Sequence, residues 1–283
     1  MKCSIRGARP SMRALAIACL LAGSTACVGP SSRFDAFASG LGFRTEIVPG
    51  AGFEHAVYAL VRPPGPRLHV YLDGDGTPWL RGTVPASDPT PDNYLVLRLM
   101  AQDFGPSLYL GRPCYHGLVE PAQCSNYYYT HGRYSTEVVD SLAAALRRIG
   151  AERGATELVF IGHSGGGVLA MLLAARFPET LGVVTIAANL DVDQWVTYHG
   201  YDPLTGSLNP ALEPPLPASV VQLHLAGGRD RVVPPALARP VAERSPAAVF
   251  RVVPEFDHAC CWRDTWPDVL RELERRVADR PSS

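Results

Sequence analysis

The sequence predicts an α/β fold with a mostly parallel central sheet, helices on both faces of the sheet, and a small cap insertion. Short apolar strands alternate with helical segments along most of the chain, which is the order that a parallel sheet requires. Several strands end in loops rich in glycine and polar residues, and such loops gather at the carboxyl edge of a parallel sheet. Hydrophobic residues make up 47% of the chain, charged residues 19%, and the formal net charge is −1. The chain can therefore bury a large core, and it has no basic surface for nucleic acid.

The predicted elements follow the apolar periodicity. Strands are predicted at 44–48, 55–61, 68–72, 107–110, 158–161, 182–188, 220–226 and 249–253, and helices at 136–153, 168–175 and 265–278. The prolines at 63–66 mark a turn between two strands. The segment 191–217, with aromatic residues, glycine and several prolines, is expected to cap the site. A second long loop holds Tyr127–Tyr129 and His131, and these tyrosines either bind substrate or fill the core of the loop.

The strongest motif lies between the strand at 158–161 and the helix that follows it. It reads Gly162-His163-Ser164-Gly165-Gly166. Glycine flanks suit a tight strand-to-helix turn that exposes one hydroxyl in strained backbone geometry, so Ser164 is the candidate nucleophile. The alternative is a glycine-rich turn with an idle serine. His163 could merely pack beneath this turn.

A serine hydroxyl needs a base, and the base needs a carboxylate that orients it. Asp230 follows the strand at 220–226, and His258 follows the strand at 249–253, so both lie in loops past a strand end. Their order behind Ser164 is the one expected for a triad of this kind. The rival carboxylates are Asp257, which is adjacent to His258, and more weakly Asp191 and Asp193.

An acyl-transfer site also needs donors for the oxyanion. One is the backbone N–H of Gly165, directly after the nucleophile. The other is expected from the loop Asp73-Gly74-Asp75-Gly76 after the third strand, and we assign it to the N–H of Asp75. The alternatives for this loop are a plain Asp-Gly turn or a calcium-like acidic loop, although two carboxylates without a third make a poor metal site.

These motifs resemble the α/β-hydrolase superfamily across most of the mature chain. The resemblance rests on the motif around Ser164, on Gly227-Gly228-Arg229-Asp230 and on Asp257-His258. Four further stretches are similar to a group of bacterial α/β-hydrolase-type lipoproteins: Tyr71–Gly76, Gly111–Cys114, Asn189–Asp191 and Gly206–Pro210. The resemblance implies the fold and a Ser-His-Asp triad. The usual His-Gly oxyanion signature is replaced here by the loop at 73–76.

The amino terminus resembles a bacterial lipoprotein signal. A basic leader precedes an apolar stretch too short to span a bilayer, and small residues then precede Cys27. We predict a signal peptide at 1–26, a lipidated amino terminus and tether at 27–42, and one hydrolase domain at 43–283. Cys27 would hold the protein to a membrane in the periplasm or cell envelope. Ordinary cleavage before an unmodified Cys27 is the alternative.

Four further cysteines lie in the domain, and an exported protein can oxidise them. Cys114 with Cys124 is the simplest disulfide. The neighbours Cys260 and Cys261 can form a strained bond, stay reduced or bridge elsewhere, and a bond there could stiffen the loop of His258. No histidine pair with ligand spacing accompanies either group, which argues against zinc.

Together the motifs predict an exported serine hydrolase that forms an acyl-enzyme with a small acyl substrate. A carboxylic ester is the leading substrate, and no cofactor, metal or protein partner is expected. A peptidase or thioesterase would use the same three side chains. A non-catalytic envelope lipoprotein that retains the fold is the competing class.

Overall fold

The computed structural model describes residues 29–119 and 124–280. Its centre is an eight-stranded sheet in the order β1-β2-β6-β3-β7-β8-β9-β10, and β4 and β5 form a separate two-stranded hairpin. The strands are β1 Arg44–Pro49, β2 Glu54–Ala59, β3 Arg67–Leu72, β4 Trp79–Leu80, β5 Val84–Pro85, β6 Ser107–Leu110, β7 Glu157–His163, β8 Thr180–Ile186, β9 Val221–Gly227 and β10 Ala248–Val253. The six strands from β6 to β10 in that order run parallel, and β1 and β2 are antiparallel to their neighbours. The predicted α/β class is confirmed.

The described residues form seven α-helices. They are α1 Pro30–Gly40, α2 Leu95–Met100, α3 Thr136–Arg153, α4 Gly165–Ala174, α5 Val192–His199, α6 Pro235–Ala242 and α7 Trp262–Ala278. One apolar core holds the buried faces of α3, α4 and α6, and a second core on the other face holds those of α1, α2 and α7. All ten residues of α4 are buried, so this helix fixes the turn that carries Ser164.

The segment predicted as a tether is a packed helix from residue 30 onward. Phe34 and Ala38 are fully buried, and the Phe34 ring contacts that of Tyr58 with centroids 5.2 Å apart. The Tyr58 hydroxyl also donates to Asp35. Residues 30–40 therefore belong to the folded domain, because one apolar face of α1 completes a core that the sheet leaves open. The predicted signal peptide at 1–26 and Cys27 lie outside the described residues. No helix in the described part of the chain is long and apolar enough to cross a membrane.

A buried ionic cluster ties α7 to β3 and to the loop after α2. His69 Nδ1 lies 2.7 Å from Asp103 Oδ2, and its Nε2 lies 3.3 Å from Glu274 Oε1. The Tyr71 hydroxyl donates to the same Asp103 oxygen at 2.7 Å. Burial by itself would lower the pKa of His69, but its hydrogen bonds to the two carboxylates raise that pKa to about 9. The imidazole is therefore charged at neutral pH.

Two disulfides lie within the described residues. Cys114 and Cys124 are bonded with their Cα atoms 5.4 Å apart, as their spacing predicts. Cys260 and Cys261 are bonded to each other. The first bond braces the segment that contains Arg112 and Tyr115, and the second lies in the loop of His258.

Candidate active site

Ser164 lies at the turn between β7 and α4 with φ 53° and ψ −126°. A side chain in this region costs on the order of 1–3 kcal/mol, and packing must hold it there. A Cβ added to Gly162 would lie 2.1 Å from the Gly166 carbonyl oxygen, and one added to Gly166 would lie 2.2 Å from the Leu72 carbonyl oxygen. Gly162 and Gly166 are therefore required by backbone-to-backbone contact, as the sequence predicts.

The structure brings Ser164, His258 and Asp230 together. His258 Nε2 lies 3.1 Å from Ser164 Oγ, and His258 Nδ1 lies 2.8 Å from Asp230 Oδ2. The other Asp230 oxygen accepts hydrogen bonds from the backbone N–H groups of Val232 and Val233, each at 2.8 Å. The Asp230 side chain is fully buried, whereas the His258 side chain is partly exposed. The carboxylate is thus held in one orientation, and the imidazole remains accessible to a substrate.

The rival carboxylates have other contacts. Asp257 accepts hydrogen bonds from the N–H groups of Ala259 and Cys260, so it closes the turn after the histidine. Asp191 accepts from the N–H of Gln194 and caps α5, while Asp193 accepts from the side chain of Asn209. None of these three has a hydrogen bond to His258, which leaves Asp230 as its carboxylate partner.

His163 has a role that the sequence does not reveal. Its Nε2 lies 2.8 Å from the backbone carbonyl oxygen of His258, so the ring donates to that carbonyl. Burial, with the nearby His258 ring, lowers the pKa of His163 to about 4. The ring is therefore neutral at pH 7 and carries its proton on Nε2. His163 links the nucleophile turn to the histidine loop, and only its position beside Ser164 hints at this in the sequence.

The loop at 73–76 lies against the nucleophile. A Cβ added to Gly74 would lie 3.3 Å from Ser164 Cβ, and one added to Gly165 would lie 2.0 Å from Asp75 Oδ1. Gly165 is the first residue of α4, where backbone N–H groups have no partner within the helix. The two residues predicted to supply the oxyanion donors are therefore neighbours beside Ser164, and the assignment of their amides stays a prediction.

The Asp75 side chain has a second set of contacts that sequence reasoning missed. Its carboxylate accepts from Arg112 Nη2 and Arg133 Nη1, each at 2.8 Å, and from the Tyr134 hydroxyl at 2.7 Å. Its backbone carbonyl accepts from the Tyr115 hydroxyl at 2.8 Å. Burial alone would raise the pKa of this carboxyl, but the two guanidinium groups hold it below its usual value. These contacts connect the loop at 73–76 to the segments at 112–115 and 133–134.

This geometry also decides against a calcium-like loop. Both Asp75 oxygens are bonded to cationic or hydroxyl donors, so neither is free for a metal ion. Asp73 uses one oxygen to accept from the N–H of Gly74, and burial raises its pKa to about 6. Within the described residues, no group of three or more His, Cys, Asp or Glu side chains could hold a metal ion.

A cavity of about 750 Å³ opens above Ser164 and His258. The predicted cap contributes to it through α5 and the segment after that helix, including Trp195 and Tyr201. Trp195 Nε1 and His199 Nε2 both donate to the Val232 carbonyl, at 2.9 and 2.7 Å, so the cap is attached to the loop of Asp230.

The three tyrosines at 127–129 are mainly structural. The Tyr129 hydroxyl donates to the Ala86 carbonyl at 2.9 Å, and the Tyr128 ring contacts that of Phe53. Of the two readings of this loop, the structure favours packing. His131 does line the cavity.

The arrangement is similar to several solved structures. An esterase from Pyrococcus furiosus has 13% identity and a TM-score of 0.59, with 84% of this chain and 93% of that chain covered. A lidless α/β serine hydrolase from Xanthomonas campestris has 16% identity and a TM-score of 0.53, covering 85% and 96%. A membrane phospholipase A described as a bacterial virulence factor has 19% identity and a TM-score of 0.60, covering 94% and 98%.

These likenesses show that the chain has the α/β-hydrolase fold, which confirms the fold that the motifs imply. At such low identities they establish the fold alone, and the reaction has to be argued from the site. The sequence matches no family model and no curated protein.

Proposed function

We propose that the protein is a serine hydrolase that cleaves carboxylic esters through an acyl-enzyme. The observation that carries this proposal is the continuous chain of contacts from Asp230 through His258 to Ser164, at 2.8 and 3.1 Å. A nucleophile within reach of a base that is itself oriented by a buried carboxylate is the arrangement that acyl transfer needs.

In the proposed mechanism, Ser164 Oγ attacks the ester carbonyl carbon while its proton passes to His258 Nε2. The carbonyl oxygen becomes an oxyanion, which accepts hydrogen bonds from the N–H groups of Gly165 and Asp75. Asp230 stabilises the imidazolium. The imidazolium then protonates the departing alcohol, and the acyl-enzyme forms. Water, deprotonated by His258, attacks the acyl carbon, and the acid leaves as Ser164 regains its proton.

One consideration favours an ester over both other classes, and a second favours it over an amide. Solved structures with the same fold include an esterase and a phospholipase A, which also cleaves esters. Alcohols are better leaving groups than amines. A peptidase or thioesterase would nevertheless use the same side chains, so the substrate panel below includes all three classes.

The proposal also includes export. The leader at 1–26 and the small residues before Cys27 support secretion followed by lipidation of that cysteine. The hydrolase would then act in the periplasm or cell envelope on a small acyl substrate, held to a membrane by its amino terminus.

A fluorophosphonate probe tests the nucleophile. The wild-type protein is expected to be labelled and to release acid from at least one member of a panel of acyl esters, thioesters and peptides. Ser164→Ala should lose both activities, because no other hydroxyl in the described part of the chain has the same contact with His258. The matched control is Ser39→Ala, an exposed helical serine, which should be labelled normally. Full labelling of Ser164→Ala would mean that another residue is the nucleophile. Absence of labelling and turnover in folded wild-type protein would favour the non-catalytic alternative.

A further inference from the structure

The cavity above Ser164 has aromatic walls. Trp79 comes from the β4–β5 hairpin, and Trp195 and Tyr201 come from the cap. The rings of Trp195 and Tyr201 contact each other with centroids 5.4 Å apart, while the Trp79 ring meets the edge of His131 at 5.5 Å. Tyr201 is 55% exposed. Partly exposed aromatic side chains therefore line the cavity.

The same cavity presents a buried cationic donor. Arg133 is only 5% exposed and lines the cavity. Its Nη1 donates to Asp75 and its Nε to the Thr130 carbonyl. Arg133 Nη2 has no hydrogen-bond partner among the described residues, so its N–H groups can donate to a ligand. Because Asp75 also touches Gly165, Arg133 lies close to the reacting ester.

Two unpaired carboxylates lie on the rim. Asp92 and Asp202 are exposed and line the cavity, and neither has a hydrogen bond or ion pair within the described residues. Their carboxylate oxygens can therefore accept hydrogen bonds from a ligand. Asn93, beside Asp92, adds an amide at the same part of the rim.

This combination disfavours several kinds of ligand. The rim carboxylates Asp92 and Asp202 repel an anionic group at the rim, and the Arg133 guanidinium repels a cation deeper in the cavity. A long alkyl chain would cover Arg133 Nη2 without offering its N–H groups an acceptor, which is costly. A neutral polyol avoids all three penalties. Its hydroxyls both donate and accept, and the C–H faces of a sugar ring can pack against aromatic rings.

We propose that the ester cleaved at this site has a carbohydrate or a similar ring polyol as its alcohol. This inference rests on the proposed hydrolase function and names its substrate class. Arg133 donates to the oxygens nearest the ester, Asp92 and Asp202 accept from hydroxyls at the rim, and Trp79 packs against the ring.

Matched acetates test this inference. Partly acetylated methyl glycosides of glucose, galactose and N-acetylglucosamine, each with a 6-O-acetyl group, are compared with cyclohexylmethyl acetate. The latter has a similar ring and ester but no ring oxygen or hydroxyl groups. Acetate release gives kcat/KM for each. We expect at least one glycoside to exceed cyclohexylmethyl acetate by about tenfold, the effect of one or two hydrogen bonds to charged groups.

Substitutions at the rim test whether cavity residues cause the preference for the glycoside, and they leave the hydrophobic core unchanged. Asp202→Ala should lower kcat/KM for the preferred glycoside by roughly three- to tenfold and leave that for cyclohexylmethyl acetate unchanged, whereas Trp79→Leu should lower both, because either ring packs against Trp79. Asp279→Asn, at an exposed aspartate after α7, is the control and should change neither.

The inference is overturned if no glycoside exceeds cyclohexylmethyl acetate, or if Asp202→Ala lowers both rates equally. Failure of the hydrolase proposal looks different, because Ser164 would then resist the fluorophosphonate and an aryl acetate would not be cleaved. An enzyme that is labelled and cleaves the aryl acetate, but does not prefer any glycoside, refutes only the sugar assignment.

Discussion

The contacts of Asp75 predict the effect of removing its side chain. In Asp75→Ala, Arg112 and Arg133 keep their positive charges at 4% and 5% exposure but lose the carboxylate between them. Breaking a buried ion pair from one side costs about 3–5 kcal/mol of unfolding free energy. For a domain of this size, that corresponds to a decrease in Tm of roughly 6–20 °C.

The same variant should also lose catalytic rate. The loop at 73–76 supplies a proposed oxyanion donor, and its backbone is held through the Asp75 carboxylate. Loss of one such donor typically lowers kcat by about 10²–10³-fold. We expect kcat for an aryl acetate to fall by about 10²-fold, with KM within a few fold, because the oxyanion exists only in the transition state. Affinity for a trifluoromethyl ketone should fall by a similar factor.

A matched control separates stability from catalysis. Asp103 is also buried, and it also binds a cation and a tyrosine hydroxyl, through His69 and Tyr71. Asp103→Ala should lower Tm comparably. Its kcat, measured well below the Tm of each variant, should stay near the wild-type value. The reasoning is refuted if Asp75→Ala retains wild-type kcat, or if Asp103→Ala loses as much kcat as Asp75→Ala.

Two further outcomes follow from buried contacts. Because the folded pKa of His69 is about 9, above its ordinary value of 6.5, its contribution to stability is complete below pH 6.5 and is lost as the pH rises through 9. Urea unfolding should show a loss of roughly 3 kcal/mol between these pH values that His69→Gln removes, and an equal loss in that variant would contradict the assignment. Gly162→Ala should prevent folding or abolish activity, because its Cβ would meet the Gly166 carbonyl oxygen at 2.1 Å, whereas Gly40→Ala, with no atom within 4 Å, should change Tm little. Thermal melts measure both, and a folded, active Gly162→Ala protein would show that the turn is not fixed by close contact.

Local patterns were enough to predict the parts of the site that follow strand ends. The motif around Ser164 and the loops of Asp230 and His258 each come directly after an apolar run, and a parallel sheet brings such ends together. The predicted helix at 136–153 and strand at 107–110 match α3 and β6, because their apolar periodicity is uninterrupted.

Contacts between distant segments could not be predicted in this way. Nothing near Asp75 in the sequence indicates that Arg112 and Arg133 converge on it, since these pairings depend on how three loops pack. The helix α1 was detectable, however. Phe34, Ala38 and Leu41 recur at helical spacing after Pro30. The segment follows an apparent export signal, however, and that position favours a tether over a packed helix.

The double hydrogen bond at Val232 has a consequence for access to the cavity. Trp195 and His199 both hold its carbonyl, while its N–H holds the Asp230 carboxylate. If α5 moved outward to admit a substrate, the hydrogen bonds from Trp195 and His199 to the Val232 carbonyl would break. Val232, whose N–H donates to the Asp230 carboxylate, would then be held less firmly. Entry through the existing mouth, with the cap in place, keeps both hydrogen bonds and the contact to Asp230 intact.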